Sequence, residues 1–167
     1  MSQVSEPLDS THKKSLFSCG KERLDNYLHK QANQDVNRKL SACFVIKETE
    51  TDLIQGYYTL SNGSIDLSDI PLEIQRKLPS SYQSIPTILL GRLANDQRFQ
   101  GQGMGKLLLV DALKRCHLIS KTIGSFAVIV DPLDLEAERF YKKYGFIKLP
   151  DSGKMFLPMK TISQLFE

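Results

Sequence analysis

The sequence predicts an α/β fold, a mixed β-sheet flanked by helices. Three observations predict it. β-rich segments and helical patterns interleave along the 167 residues. Phe126–Val130 (FAVIV) is a continuous apolar run that reads as a strand buried on both faces. Over Leu90–Leu109 a strand, a glycine-rich loop and a helix succeed one another.

From the N-terminus, a short strand is expected around Lys14–Leu16. Next comes a helix that carries Leu24, Leu28, Ala32 and Val36, whose i+4 steps share one face. Ala42–Lys47 is β-rich, and residues 48–52 (ETETD) read as a hairpin turn into a strand over Ile54–Ser61. Pro71–Leu78 reads as a short helix opened by proline. Thr87–Ala94 is an apolar strand in which Gly91 marks a bulge or a close backbone approach. A helix over Met104–Ile119 puts Met104, Leu108, Ala112 and Cys116 on one stripe, completed by Ile119. Beyond the apolar run, a helix over Glu136–Tyr144 places Ala137, Phe140, Tyr141 and Tyr144 at i, i+3, i+4 and i+7. Gly145 occupies the helix-terminating position. Short strands at Phe146–Leu149 and Lys154–Leu157 end the pattern. No repeat, low-complexity tract or long linker interrupts it, so 1–167 reads as one domain.

Composition narrows the function classes. Hydrophobic residues make up 41% and charged residues 25%, enough apolar material for a core without a disulfide or metal staple. Cys19, Cys43 and Cys116 are far apart and odd in number, which argues against a disulfide framework or a zinc site and for a reducing compartment. His12, His29 and His117 share no metal-ligand spacing, so no metal is expected. No apolar stretch approaches the roughly 20 residues that span a bilayer, and the N-terminus lacks an apolar signal core. A cytoplasmic protein without a membrane partner is therefore expected. The net charge of +3 suits an anionic cofactor or RNA, and equally a solvated surface.

The most informative segment is LGRLANDQRFQGQGMGKLLL, residues 90–109. Glycines at 101, 103 and 105 remove Cβ atoms where a helix opens, so main-chain N–H groups can approach an anion. The first-turn N–H groups have no partner inside the helix, and the helix dipole adds positive potential. Together they make a pyrophosphate site. Two other phosphate motifs are excluded. A P-loop needs Ser or Thr after its Lys, and Lys106 is followed by Leu107. The dinucleotide fingerprint needs G-x-G-x-x-G, and the spacing here is G-x-G-x-G.

Gln100-Gly101-Gln102-Gly103-Met104-Gly105 resembles the [QR]-x-x-G-x-[GA] acetyl-CoA signature of the GNAT N-acetyltransferases. The later segment, FAVIV followed by a loop and Ala137-Glu138-Arg139-Phe140-Tyr141-Lys142-Lys143-Tyr144-Gly145-Phe146, is similar to the family's A-x-x-[LF]-Y-x-x-x-G-F ending. The resemblance implies the GNAT fold, whose central strands splay, and acetyl-CoA as cosubstrate. Asp134 stands where many members carry Asn seven residues before the tyrosine, so the cofactor contact attributed to that Asn is not carried over. A narrower resemblance links Phe17-Ser18-Cys19-Gly20, Leu24-Asp25-x-Tyr27-Leu28, Leu90-Gly91-Arg92-Leu93-Ala94 and Phe140-Tyr141 to GNAT toxins of bacterial toxin–antitoxin pairs. Those enzymes acetylate the amino group of aminoacyl-tRNA, and their partner is usually a ribbon–helix–helix antitoxin.

The resemblance assigns roles. Backbone groups of Leu93, Ala94 and Asn95 would hold the pantetheine, and a main-chain N–H there could stabilise the oxyanion of acyl transfer. Gln100, Gly101, Gln102, Gly103, Met104, Gly105 and Lys106 would hold the pyrophosphate, with Phe140 also against the cofactor. Tyr141 is the candidate general acid for the departing thiolate, since a phenol is protonated at neutral pH; packing is its alternative role. Arg92 would contact an anionic acceptor or pair with an acid. Arg76 and Lys77 could extend an acceptor surface, and Arg98, Lys106, Arg139, Lys142 and Lys143 would flank the cofactor cleft. Asp96 and His117 are the candidates for a general base, alongside a water chain. Three functions stay open: acetylation of aminoacyl-tRNA, acetylation of a small or protein amine, and CoA binding without turnover. Partners in view are the antitoxin, the tRNA and a second copy of the chain.

Overall fold

The computed structural model describes residues 3–167. In chain order its strands are β1 (Glu6–Pro7), β2 (Ala42–Lys47), β3 (Ile54–Asp66), β4 (Ser84–Asn95), β5 (Ala127–Val130), β6 (Ile147–Lys148) and β7 (Met155–Pro158). Its helices are α1 (Glu22–Asn26), α2 (Ala32–Asn37), α3 (Leu72–Gln75), α4 (Met104–Ser120), α5 (Leu135–Lys143) and α6 (Met159–Phe166). The sheet order is β1-β2-β3-β4-β5-β7-β6. The β4–β5 pair is parallel, whereas β1–β2, β2–β3, β5–β7 and β6–β7 are antiparallel. This is the mixed sheet the sequence predicts. The chain divides into two compact units, residues 1–61 with 90–115 and residues 62–89 with 116–167.

The first unit is built on β1, β2 and the start of β3. Its core gathers Phe17, Leu28, Ala32, Val45, Ile54, Tyr57 and Ala94. The expected strand at Lys14–Leu16 is instead a single 3₁₀ turn, closed by Phe17 N–H donating to the Lys14 carbonyl at 3.1 Å. Leu16 is 59% exposed, so the segment has no buried face to pair as a strand. The true first strand lies earlier, where Glu6 and Pro7 pair with Val45 and Phe44. Proline is tolerated there because an edge strand can lack one N–H donor.

The predicted amphipathic helix is interrupted. A π-helical turn, Tyr27–Gln31, separates α1 from α2. The wider turn buries both Tyr27 and Leu28, and Leu24 and Val36 pack at the margin of the core.

A polar network fastens the N-terminal segment to α4. Asp111 accepts hydrogen bonds from Val4 N–H (2.7 Å), from the Tyr58 hydroxyl (2.7 Å) and from the Ser5 hydroxyl. Arg115 donates to Tyr58 Oη and Ser5 Oγ, both at 3.0 Å, and its guanidinium lies 3.8 Å from the Phe44 ring centre. Burial pushes the Asp111 carboxyl up. The bonds from Ser5, Val4 and Tyr58 outweigh it and hold the carboxyl below its ordinary value.

In the second unit β5 is buried at every position and pairs with both β4 and β7. Its core holds Ile65, Ile70, Ile85, Ala127, Ile129, Leu149 and Phe156. The helix expected over Pro71–Leu78 contracts to α3, with Pro71 one residue before it and turns beyond it. The strands expected at Phe146–Leu149 and Lys154–Leu157 appear as β6 and β7, while Phe146 and Leu149 turn inward as buried flanks. The helix α6 has no counterpart in the sequence reading. It comes directly after Pro158, buries Met159 and Ile162, and docks on β5 and β7.

Candidate functional site

The glycine turn belongs to the first unit. β4 ends at Asn95, and Asp96, 1% exposed, anchors the loop beyond it. Its carboxylate accepts from Ser18 N–H (3.0 Å), Arg98 N–H (2.9 Å) and the Arg98 guanidinium (2.8 and 2.9 Å). Burial raises its pKa, but the Arg98 and backbone hydrogen bonds outweigh that and lower it overall. Asp96 is thereby a fixed, charged loop anchor, and Arg98 is committed to it. The expectation of Asp96 as a general base does not fit this geometry. Gln100 likewise turns its side chain back to the Cys19 carbonyl at 3.2 Å.

Gly101 and Gly103 have φ of +78° and +76°, which L side chains rarely adopt. No atom lies within 4 Å of the position a Cβ would take at either, so the turn is bare and open. Gln102 between them is exposed. α4 begins at Met104 and runs 17 residues, with no acidic residue in its first turn and Lys106 exposed there. Met104 is the buried residue of that turn, and Gly105 is half-buried. A long helix dipole and the absence of a first-turn carboxylate give this helix start a positive potential that suits an anion.

Just upstream, β4 leaves one charge partly exposed. Ala94 is buried in the core, while Arg92, Leu93 and Asn95 are partly exposed. At Gly91, a Cβ would sit 3.1 Å from Thr59 Oγ1, so the close approach expected there is real. Arg92 stacks on a ring. Its guanidinium carbon lies 3.5 Å from the Tyr27 ring centre, and among the described residues it is in no ion pair. Tyr27 in turn donates to Asp35 at 2.8 Å, and burial together with that bond pushes its phenol up to about 12. A cation held on an aromatic face keeps its N–H donors free for an anion. Sequence reasoning missed Tyr27 as the support of Arg92, because the π-turn that turns it inward leaves no mark in the i+4 pattern.

In the second unit, Tyr141 is 7% exposed on α5. Its ring meets Phe140 and Phe146 edge-on, at 5.3 and 5.2 Å between centres. Burial pushes its phenol well above the ordinary tyrosine value, so it stays protonated across the neutral range. Phe140 also packs edge-on with Tyr144 at 5.1 Å and is partly exposed. Asp134, upstream of that tyrosine, caps α5 by accepting Ala137 N–H at 2.9 Å.

His117 is buried at 3% exposure and tied to α6 through Ser163 Oγ at 3.1 Å. It is a docking residue for that helix, not an accessible base. Arg76, Lys77, Arg139, Lys142 and Lys143 are at least partly exposed. All three thiols are buried, and burial drives Cys19 to about 11 and Cys43 to about 12, so neither offers a thiolate nucleophile. Among the described residues no group of three His, Cys, Asp or Glu could hold a metal. No helix among them is long and apolar enough to cross a membrane.

Known proteins share this geometry and sequence. Residues 82–161 match the model described as an acetyltransferase (GNAT) domain. The chain is 33% identical to "Probable toxin TacT" of Sinorhizobium fredii, over 98% of this chain and 94% of that protein. It is 38% identical to "tRNA-acetylating toxin" of Mycobacterium tuberculosis, over 89% and 87%. Among solved structures, a Tyr-to-Phe mutant of KacT matches with a TM-score of 0.91 and 31% identity, covering 99% of this chain and 100% of that one. AtaT complexed with acetyl-methionyl-tRNAfMet matches with 0.90 and 30%, over 99% and 100%. A Tyr-to-Phe mutant of AtaT, bound to the C-terminus of the antitoxin AtaR and acetyl-CoA, matches with 0.82 and 28%, over 97% and 96%.

Proposed function

Because this chain belongs to the GNAT family of acetyltransferases, we propose that it is a toxin that uses acetyl-CoA to acetylate the amino group of aminoacyl-tRNA. The observation that carries the cofactor half is the bare Gly101–Gly103 turn at the head of a 17-residue helix. The acceptor half rests on similarity to proteins named for tRNA acetylation along nearly the whole chain.

Acetyl-CoA supplies the activated acetyl thioester. Main-chain groups of Leu93, Ala94 and Asn95 orient its pantetheine. The segment Gln100 to Lys106 holds the pyrophosphate, Gln100 through its backbone because its side chain is engaged with Cys19. Phe140 packs on the cofactor. The acceptor nitrogen bonds to the acetyl carbon, the carbon–sulfur bond breaks, Tyr141 Oη delivers its proton to the sulfur, and the proton lost by the nitrogen passes to water, from which the Tyr141 phenolate is reprotonated. No side chain is assigned as base. The α-amine of an aminoacyl ester is far less basic than a lysine amine of pKa about 10.4, so much of it is neutral at pH 7. Arg92, with Arg76 and Lys77, meets the anionic acceptor. The whole chain, 1–167, acts as one catalytic domain in the cytoplasm. Its partners are a ribbon–helix–helix antitoxin and a second copy of the chain.

Expression without an antitoxin tests this in cells. The wild type should arrest bacterial growth, and Tyr141→Phe should relieve the arrest at equal protein level. Normal growth with abundant folded wild-type protein would overturn the toxin reading.

A further inference from the structure

Arg92 stands where β4 would ordinarily carry an apolar side chain. Alternate residues of a strand face one side, and Ile88, Leu90 and Ala94, which alternate with Arg92, are all buried. Arg92 reaches that same side, because it covers Tyr27, which shares a core cluster with Ala94. Leucine or methionine there would pack without drawing a charge partly out of water. A half-buried guanidinium is ordinarily offset by a carboxylate. Here the carboxylate of Asp35 is taken by the Tyr27 hydroxyl, and among the described residues Arg92 is in no ion pair.

The helix beneath the arginine carries a matching irregularity. The π-helical turn Tyr27–Gln31 contains neither glycine nor proline to explain it. Such turns are rare and occur often at functional sites. This one buries the neighbours Tyr27 and Leu28 together, so that Tyr27 lies under Arg92 while Leu28 keeps its place in the core. The ring is then held from two sides. Its hydroxyl donates to Asp35, and its centre lies 6.4 Å from that of the near-parallel Tyr57 ring. Tyr57 is fixed in turn by its hydroxyl, which donates to the Leu24 carbonyl at 2.7 Å. A cation on a fixed, buried ring is oriented before a ligand arrives, so binding costs less side-chain freedom.

A planar guanidinium suits a phosphate. In the proposed mechanism the pyrophosphate lies at the turn after β4 and the pantetheine along Leu93, Ala94 and Asn95. β4 is extended through these residues, so Arg92 lies at the end of that stretch away from the turn. A phosphate at Arg92 therefore belongs to the acceptor. We propose that Tyr27, held by Asp35, is a positioning residue that fixes Arg92 to grip a backbone phosphate of the acceptor RNA. The proposal rests on the aminoacyl-tRNA reading and deepens it to the support of one contact.

The experiment combines tRNA binding over a series of salt concentrations, steady-state acetylation of charged tRNA, and calorimetry of CoA binding. It compares wild type, Arg92→Met, Arg92→Lys, Tyr27→Leu, Tyr27→Phe and the double variant Tyr27→Leu/Arg92→Met. Arg92→Met should lower the salt slope of tRNA binding by about one and raise KM for tRNA, with CoA affinity intact. Tyr27→Leu should raise that KM about 3–30-fold at unchanged kcat, and Tyr27→Phe, which keeps the ring, far less. In the Arg92→Met background Tyr27→Leu should add nothing, a result that damage to the core alone would not give. Should Tyr27→Leu fail to fold, Arg92→Lys decides: KM should rise with the slope kept, because an ammonium has no plane to stack. An unchanged slope in Arg92→Met, a loss of CoA affinity in its place, an undiminished Tyr27→Leu effect in the double variant, or a wild-type KM in Arg92→Lys would overturn the positioning role while leaving tRNA acetylation standing. If no charged tRNA is acetylated while other amines are, the acceptor reading fails and takes this proposal with it.

Discussion

At Tyr141 the proposed chemistry reduces to one proton. The departing sulfur needs a donor that is protonated at working pH, and burial pushes this phenol upward in the required direction. Tyr141→Phe removes the proton and keeps the ring packing on Phe140 and Phe146. Turnover should fall about 10²–10⁴-fold with CoA affinity unchanged, while Tyr144→Phe should cost much less. Steady-state kinetics beside calorimetry of CoA binding separates the two, and a reversed ranking would move the acid by one helical turn. Because the phenol is raised, no alkaline loss of kcat from this group should appear below about pH 10. The helix that carries Tyr141 was legible from its motif. The seat of Arg92 was not, since a cation stacked on Tyr27 is a tertiary contact between residues 65 positions apart, 92 minus 27. Asp96 and His117 misled for a related reason. Sequence shows a titratable group but not the Arg98 or Ser163 that occupies it.

In the proposed mechanism the turn into α4 carries the pyrophosphate. Gly103 takes φ +76°, so any side chain strains it, and a carboxylate there also repels a pyrophosphate. Gly103→Ala isolates the strain, about 1–2 kcal/mol at most. Gly103→Asp adds the charge. Calorimetry should show acetyl-CoA affinity falling further for Asp than for Ala, with α4 still folded by circular dichroism. Equal affinity in wild type and Gly103→Asp would remove the turn from the cofactor site. Glycine spacing and helix periodicity made this element readable to within one residue, Met104–Ile119 expected against Met104–Ser120 found. Short elements were harder. At Lys14–Leu16 three residues carry no usable period, and the chain there closes a 3₁₀ turn. α6 went unread because Pro158 joins it directly to β7, so the apolar residues of strand and helix merge into one run.

For the whole molecule, buried ionisable groups set the pH range of stability. Burial raises the phenols of Tyr57, Tyr58 and Tyr141, and Tyr27 reaches about 12. In the unfolded chain tyrosine ionises near pH 10, so above that pH the folded state binds more protons than the unfolded state. Stability should therefore fall as pH rises beyond about 10. Asp96 and Asp111 are depressed instead, and their contribution is present above the unfolded value of about 3.9 and lost as pH falls below it. Denaturant midpoints measured from pH 3 to 11 should be highest between those limits; a midpoint still rising at pH 11 would contradict this. Between β2 and β7 the order of strands and helices was readable from periodicity. The Ser5–Tyr58–Asp111–Arg115 network was not, because it joins residues more than 100 positions apart. The central claim concerns the acceptor, and one measurement addresses it directly. Charged tRNA, polyamines and peptide amines are incubated separately with the protein and labelled acetyl-CoA, and the ester bond of the tRNA is then hydrolysed to release its amino acid. The account predicts label on the released amino acid as its N-acetyl form, absent with Tyr141→Phe and declining as salt rises. Label on polyamine or peptide, with none on the amino acid from tRNA, would contradict it.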